Sequence, residues 1–281
     1  MLSDDLISKY IRPLYPHATD LQPSGELTTK VKCIMFDMYG TLFISGSGDI
    51  GIARQEVPKT EQLINLLQKF GIRRSPDAVL NDFFAAIKNQ HAKSKANGVD
   101  FPEVEIDKIW MNVLNNNNLD HIRAFAMEFE LIVNPVYPMP NLEIMLTGCK
   151  ESNLCMGIVS NAQFYTPSLL QWYLGSDLQD LGFHPDLMLF SYRFGCAKPS
   201  TYLFQLAAEK LQNMEISVHA ALYLGNDMLN DIYPAKKAGF QTALFAGDAR
   251  SLRLREDDPR CRNLSPDIII TDLKQLLDHI R

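Results

Sequence analysis

The run Val31-Lys32-Cys33-Ile34-Met35-Phe36 is apolar, too short to stand alone as a helix, and stops on Asp37 and the turn Met38-Tyr39-Gly40. A stretch of this length bounded by turn formers reads as a buried strand. In an open parallel sheet the reactive groups collect just beyond the carboxyl ends of the strands, which is where Asp37 falls. Gly40 lets the chain turn sharply without steric cost, and Thr41 brings a hydroxyl beside the acid. A carboxylate so placed serves as a covalent nucleophile or merely ends a strand, and this segment alone leaves both readings open.

Three further segments follow in order. Leu154-Cys155-Met156-Gly157-Ile158-Val159-Ser160-Asn161 is another apolar run ending in small polar groups. Gly195-Cys196-Ala197-Lys198-Pro199 is a loop with one lysine immediately before a helix, and Ala221-Leu222-Tyr223-Leu224-Gly225-Asn226-Asp227-Met228-Leu229-Asn230-Asp231 is a strand that runs into an acidic turn. Together they supply a carboxylate, a hydroxyl, an amide, a cation and an acidic pair, the equipment for gripping an anionic group and displacing something from it. In these four segments the chain resembles the haloacid dehalogenase superfamily of hydrolases, over roughly residues 30–281.

The organisation suits a two-part molecule. Residues 1–30 hold a short amphipathic segment (Leu6, Ile7, Tyr10, Leu14) broken by Pro13, Pro16 and Pro23, and read as a docking arm. Residues 31–48 and 137–281 read as a Rossmann-like α/β core, because strands and helices alternate there as in a parallel sheet covered on both faces. Between them, residues 49–136 carry helical periodicity throughout: Leu63, Leu66, Leu67 and Phe70, then Leu80, Phe83, Phe84 and Ile87, then Ile122, Phe125, Ala126 and Phe129. Four consecutive helices are too many for one crossover, so they form a separate module. The resemblance implies that this insertion is a cap over the active site, with Gly46-Ser47-Gly48-Asp49 and Pro135-Val136-Tyr137-Pro138 as hinges.

Composition excludes several other classes. A net charge of −6 disfavours nucleic acid as a partner, and no apolar run approaches a membrane span. Five scattered cysteines without a C-x-x-C pair, and no basic-then-apolar start, suit a reduced, cytoplasmic protein, and the partner expected from the four segments is a small anionic molecule. The arginine-rich stretch Arg250–Arg262, mixed with Glu256, Asp257 and Asp258, reads as a solvated face.

The chemistry then distributes itself. Asp37 attacks, Lys198 neutralises the nucleophile and the transferring anion, and Ser160, Asn161 and Thr41 offer polar contacts beside it, with Gly40 part of the substrate-binding turn. Asp227 and Asp231 lie four residues apart around a helix start and can face one spot with Asp37, where acids repel unless a cation lies between them. Mg²⁺ suits such a place, and Asn226 can add its amide oxygen. The resemblance adds the main-chain carbonyl of Tyr39 as a metal donor.

Two departures divide the reading. Phosphatases of the superfamily place a general-acid aspartate where this chain has Tyr39, and tyrosine there looks like the 2-haloacid dehalogenases, whose halide leaves without a proton. Asn226 stands where phosphatases commonly carry a metal-binding aspartate. A Mg²⁺-dependent phosphatase is therefore the first expectation. A metal-independent dehalogenase is the second, and a catalytically weak ligand-binding or interaction protein of the same fold is the third.

Overall fold

The computed structural model describes residues 4–46 and 60–280. Its strands run, in chain order, Ser24–Gly25 (β1), Cys33–Phe36 (β2), Phe43–Ser45 (β3), Val136–Pro138 (β4), Cys155–Ser160 (β5), Phe183–Phe190 (β6), Ala221–Gly225 (β7), Gln241–Phe245 (β8) and Ile268–Ile270 (β9). Seven of them form one sheet in the order β1-β9-β8-β7-β2-β5-β6. β2 lies between β5 and β7, parallel to both, with Phe36 opposite Ile158 and Leu224. All four of its residues are buried, and successive side chains enter different cores: Ile34 and Phe36 one, Cys33 and Met35 the other. A strand covered on both faces has no need of a polar alternate, which is why the run is continuously apolar. The architecture is a mostly parallel α/β sheet surrounded by helices, with a helical insertion.

The insertion consists of the helices Thr60–Lys69, Pro76–Ala96, Ile106–Leu114 and Leu119–Val133. Ser75 caps the second, its side chain accepting from the Ala78 N–H, and Asn118 caps the fourth in the same way through His121. Trp110 is fully buried, stacked on Phe83 with ring centroids 4.1 Å apart and edge-on to Phe125 and Phe129. Each such ring contributes about 1.5–3 kcal/mol by burial, and these rings belong to one hydrophobic cluster that continues to Ile34 and Phe36 of the sheet.

The chain enters and leaves this block through a pair of strands. β3 and β4 are antiparallel, Ser45 opposite Val136, and the Gly46 N–H donates to the Pro135 carbonyl at 2.9 Å. The proline-rich stretch expected as a loose hinge is thus a strand. Pro138, with no N–H to give, takes the end of the pair. Ser47, Gly48 and Asp49 of the other expected hinge lie outside the described residues.

The amino-terminal arm touches both parts. In the helix Asp4–Tyr10 the Tyr10 hydroxyl donates to Glu128 on the last insertion helix at 3.0 Å. A few residues on, the His17 N–H donates to Asp248 at 3.0 Å, and Thr19 donates to the carbonyl of Ala246 at 2.7 Å. All five cysteines are unpaired. Among the described residues, no helix is long and apolar enough to cross a membrane.

Candidate active site

Asp37 leaves the carboxyl end of β2 with its N–H on the carbonyl of Leu224 at 2.9 Å, continuing the strand pairing to the rim of the sheet. Lys198 reaches it from the loop after β6, its Nζ 2.7 Å from Asp37 Oδ1 and 2.5 Å from Asp231 Oδ1. Tyr223, fully buried on β7, accepts from the same ammonium at 3.1 Å. The Tyr223 hydroxyl proton is shared between the Val159 carbonyl at 2.8 Å and Asp231 at 3.0 Å. Burial opposes the Lys198 charge, yet Asp231 and Asp37 outweigh it and hold its pKa above the ordinary value. Burial pushes the Asp231 carboxyl up to about 7, against the pull of Lys198 and with the repulsion of Asp37 and Asp227.

The cation between Asp37 and Asp231 is therefore the lysine. Asp231, expected as a metal donor, gives one oxygen to Lys198 and the other to the Asp227 N–H at 2.9 Å, so it orients the lysine. Asn161 holds the same lysine by its backbone, accepting from the Lys198 N–H at 2.7 Å and donating to its carbonyl at 3.1 Å. Ser160, the last residue of β5, is buried, and its hydroxyl has no hydrogen-bond partner among the described residues. A buried hydroxyl of this kind is a donor awaiting an acceptor.

Gly40 and Thr41 fit the turn after Asp37 against the acidic turn. Gly40 has φ +85°, and a Cβ there would lie 2.7 Å from Asn226 Nδ2 and from Ser251 Cβ. Only glycine combines that backbone with that approach. Thr41, fully buried, donates to Asn226 Oδ1 at 3.1 Å, while Asn226 Nδ2 donates to the Ser251 carbonyl at 2.6 Å. A carbonyl only accepts, so the amide orientation is forced and its oxygen faces the turn after Asp37. Thr41, expected to offer its hydroxyl beside Asp37, gives it to Asn226.

Asp227 is also taken. Arg255 grips it with Nε at 3.2 Å from both oxygens and Nη2 at 2.6 Å from Oδ2. The same carboxylate caps the N–H groups of Leu229 and Asn230, opening the helical turn with the π geometry of Met228–Ile232. Arg255 itself sits at φ +54°, a left-handed conformation that non-glycine residues hold mainly where neighbours impose it. The Arg250–Arg262 stretch is thus no simple solvated face. Its backbone docks on the acidic turn through Met228 N–H to Arg253 carbonyl, 2.9 Å, and Arg253 N–H to Asn226 carbonyl, 3.0 Å. Nothing local in the sequence signals a contact between residues 28 apart.

Oxygen donors for a metal ion remain in the carboxylate of Asp37, the amide oxygen of Asn226, with a lone pair left beyond its bond to Thr41, and the carbonyl of Tyr39 in the same turn. Among the described residues no cluster of three or more acidic, histidine or cysteine ligands exists. This donor set fits a small hard ion that keeps much of its water, as Mg²⁺ does.

Part of the lining was not legible in the sequence. Asp37, Tyr39, Lys198 and Asn226 line a cavity of about 200 Å³ that is also lined by Tyr165 and by two acids of the inserted segment, Glu103 and Glu130. The Tyr39 hydroxyl is hydrogen-bonded to Thr166 Oγ1 at 2.8 Å. Burial, reinforced by the charge of Glu130, drives the Tyr39 pKa well up, so the phenol keeps its proton.

The comparisons agree with this geometry. The sequence profile of the haloacid dehalogenase-like hydrolases matches residues 31–239. A glyceraldehyde 3-phosphate phosphatase of Methanocaldococcus jannaschii is 26% identical over 256 residues, covering 89% of this chain and 97% of that protein. A 2-haloacid dehalogenase from Pseudomonas syringae superposes with TM-score 0.58 at 19% identity, covering 89% of this chain and 98% of the other. A phosphatase of the superfamily from Thermococcus onnurineus superposes with TM-score 0.52 at 16% identity, over 88% and 97%. With its sequence matching the family model over most of its length, and an aspartate, a lysine and an acidic turn meeting at the carboxyl edge of the sheet, the chain belongs to the haloacid dehalogenase-like hydrolases.

Proposed function

We propose that the protein is a Mg²⁺-dependent phosphatase of small phosphorylated metabolites, working through an aspartyl-enzyme intermediate, with the helical insertion as its cap. One observation carries this reading over a dehalogenase. The described cations lining the cavity, Lys198, Arg253 and Arg255, belong to the core, whereas the inserted segment contributes Glu103 and Glu130. A 2-haloacid carries its carboxylate one bond from the reacting carbon, so acids in the lining that have no cation of their own repel it. A phosphate ester presents its charge to the lysine end alone.

In the first step the Asp37 carboxylate attacks phosphorus and the bond from phosphorus to the leaving oxygen breaks. In the second, water cleaves the acyl phosphate and frees Asp37. Lys198 stabilises the charge on the transferring oxygens, Asn161 and Asp231 fix its position, and the Ser160 hydroxyl is a further donor. A Mg²⁺ ion held by Asp37, the Tyr39 carbonyl and Asn226 would add charge neutralisation at the phosphoryl group. Tyr39 retains its proton too firmly to serve as acid or base near neutrality, so good leaving groups react fastest.

The tyrosine is also the observation that favours the second reading, since a departing halide needs no proton. A panel of aryl, acyl and alkyl phosphates and 2-chloropropionate, each with Mg²⁺ and with chelator, separates the two. Phosphate release abolished by chelation is expected. Halide release that persists in chelator, with no phosphate from any ester, overturns the proposal.

A further inference from the structure

The phosphatase mechanism leaves two acids of the cavity unused. Glu130 accepts from the Tyr165 hydroxyl at 2.8 Å and from the Asn134 amide at 3.0 Å, and Glu103 accepts from Ser191 at 2.8 Å and from the Val104 N–H at 2.9 Å. Among the described residues all four donors are neutral. The acids of the core end are matched differently: Asp37 and Asp231 share Lys198, and Asp227 holds Arg255. Both insertion carboxylates act on the Tyr165 phenol, so they surround one stretch of the cavity wall. They are part of the chamber that contains the nucleophile and do not form a separate site.

Resting on the phosphatase reading, we propose that Glu103 and Glu130 select phosphate esters whose alcohol carries a primary ammonium group, phosphate bound at Lys198 and ammonium at the insertion side. A carboxylate withdrawn from water without a counter-ion is costly, and a charge-assisted hydrogen bond from substrate offsets that cost more fully than a hydroxyl does. Burial raises the pKa of both acids, only partly countered by their neutral donors, which is the state a bound cation would relieve. The cavity thereby holds charge-matched acids around Lys198, where phosphorus reacts, and acids with neutral partners only on the inserted segment.

The test compares 3-aminopropyl phosphate with n-butyl phosphate, of equal length, and with glycerol phosphate as the hydroxyl-bearing probe. Wild type is expected to favour the amine in kcat/KM by at least about tenfold, within the range of one hydrogen bond to a charged group. In the double variant Glu103→Gln/Glu130→Gln that preference should fall towards unity, through KM more than kcat. A wild-type preference near unity, or one unchanged in the variant, overturns the inference. So does a preference for glycerol phosphate that the same variant abolishes, because it shows hydroxyl recognition. Should the double variant not fold, n-propylammonium against aryl phosphate hydrolysis by wild type decides. Competitive inhibition that n-propanol lacks supports the inference, and equal inhibition or none overturns it. Absence of phosphate release from every ester overturns the phosphatase reading and this inference with it, whereas turnover without discrimination overturns the inference alone.

Discussion

Asn161 and Lys198 are joined by both ends of one amide: the Asn161 oxygen accepts from the Lys198 backbone N–H at 2.7 Å and its nitrogen donates to the Lys198 carbonyl at 3.1 Å. The rim of β5 thereby fixes the loop that carries the lysine paired with Asp37. Asn161→Ala removes both bonds, each contributing about 0.5–1.5 kcal/mol. It should lower kcat by about 10- to 100-fold, the cost of a small misplacement near reacting atoms. Asn161→Asp should be no better, since it accepts from the N–H but sets an oxygen against the carbonyl. Steady-state kinetics with melting curves check both.

Asp37→Asn should abolish turnover by at least about 10³-fold while leaving the melting temperature nearly unchanged, because the amide keeps the shape and loses the nucleophile. Acid-quenched wild type should carry a phosphoryl adduct by mass spectrometry, and the variant none. A variant retaining a tenth of the rate would contradict covalent catalysis by Asp37.

Tyr39→Asp places a carboxyl where the leaving oxygen lacks an acid, at the cost of the bond to Thr166. Hydrolysis of alkyl phosphates should rise by up to about 10²-fold relative to aryl phosphates, the lower end of what a positioned acid contributes. The ratio of the two rates is the readout.

Glu130 should leave a mark on stability. Its folded pKa is raised above the ordinary 4.5 by burial, against weaker lowering by Asn134 and Tyr165. As pH rises through 4.5 the unfolded chain releases this proton first, so the folded state binds more protons and stability falls until the folded group also ionises. Glu130→Gln removes that component, and its melting temperature should decline less than that of wild type across this window.

Gly40→Ala asks a residue with a Cβ to hold φ +85° within 2.7 Å of Asn226 and Ser251. The substitution should destabilise the fold by several kcal/mol and displace Asn226, costing activity even where the protein survives. Chemical denaturation measures the first effect and metal titration by calorimetry the second.

The strands that carry Asp37, Ser160 and Asn226 were legible because a strand buried on both faces writes itself as an unbroken apolar run ending in polar residues. The insertion was legible because Leu63, Phe83 and Phe125 keep helical spacing. The allocation of charge was not. Asp227 and Asp231 were read as sharing a metal, yet each has its own internal cation, Arg255 and Lys198, supplied from distant loops. Pairing of this sort is a property of loop geometry and leaves no periodicity. The same holds for Glu103 and Glu130. Glu130 lies on a helix otherwise read for its apolar face, and it becomes part of the cavity only when the insertion is folded over the sheet.

The amino-terminal arm gives the insertion a further mounting. At one end the paired strands β3 and β4 attach it to the sheet, and at the other Tyr10 ties its last helix to a segment anchored at His17 and Thr19 on the core. The insertion is tied to the core elsewhere too, the Glu103 N–H donating to the Gly195 carbonyl at 3.0 Å and the Ala197 N–H to the Phe101 carbonyl at 2.7 Å. The arm therefore closes a ring of ties around the chamber, and Tyr10→Phe should loosen the last helix of the insertion while the other ties stay in place.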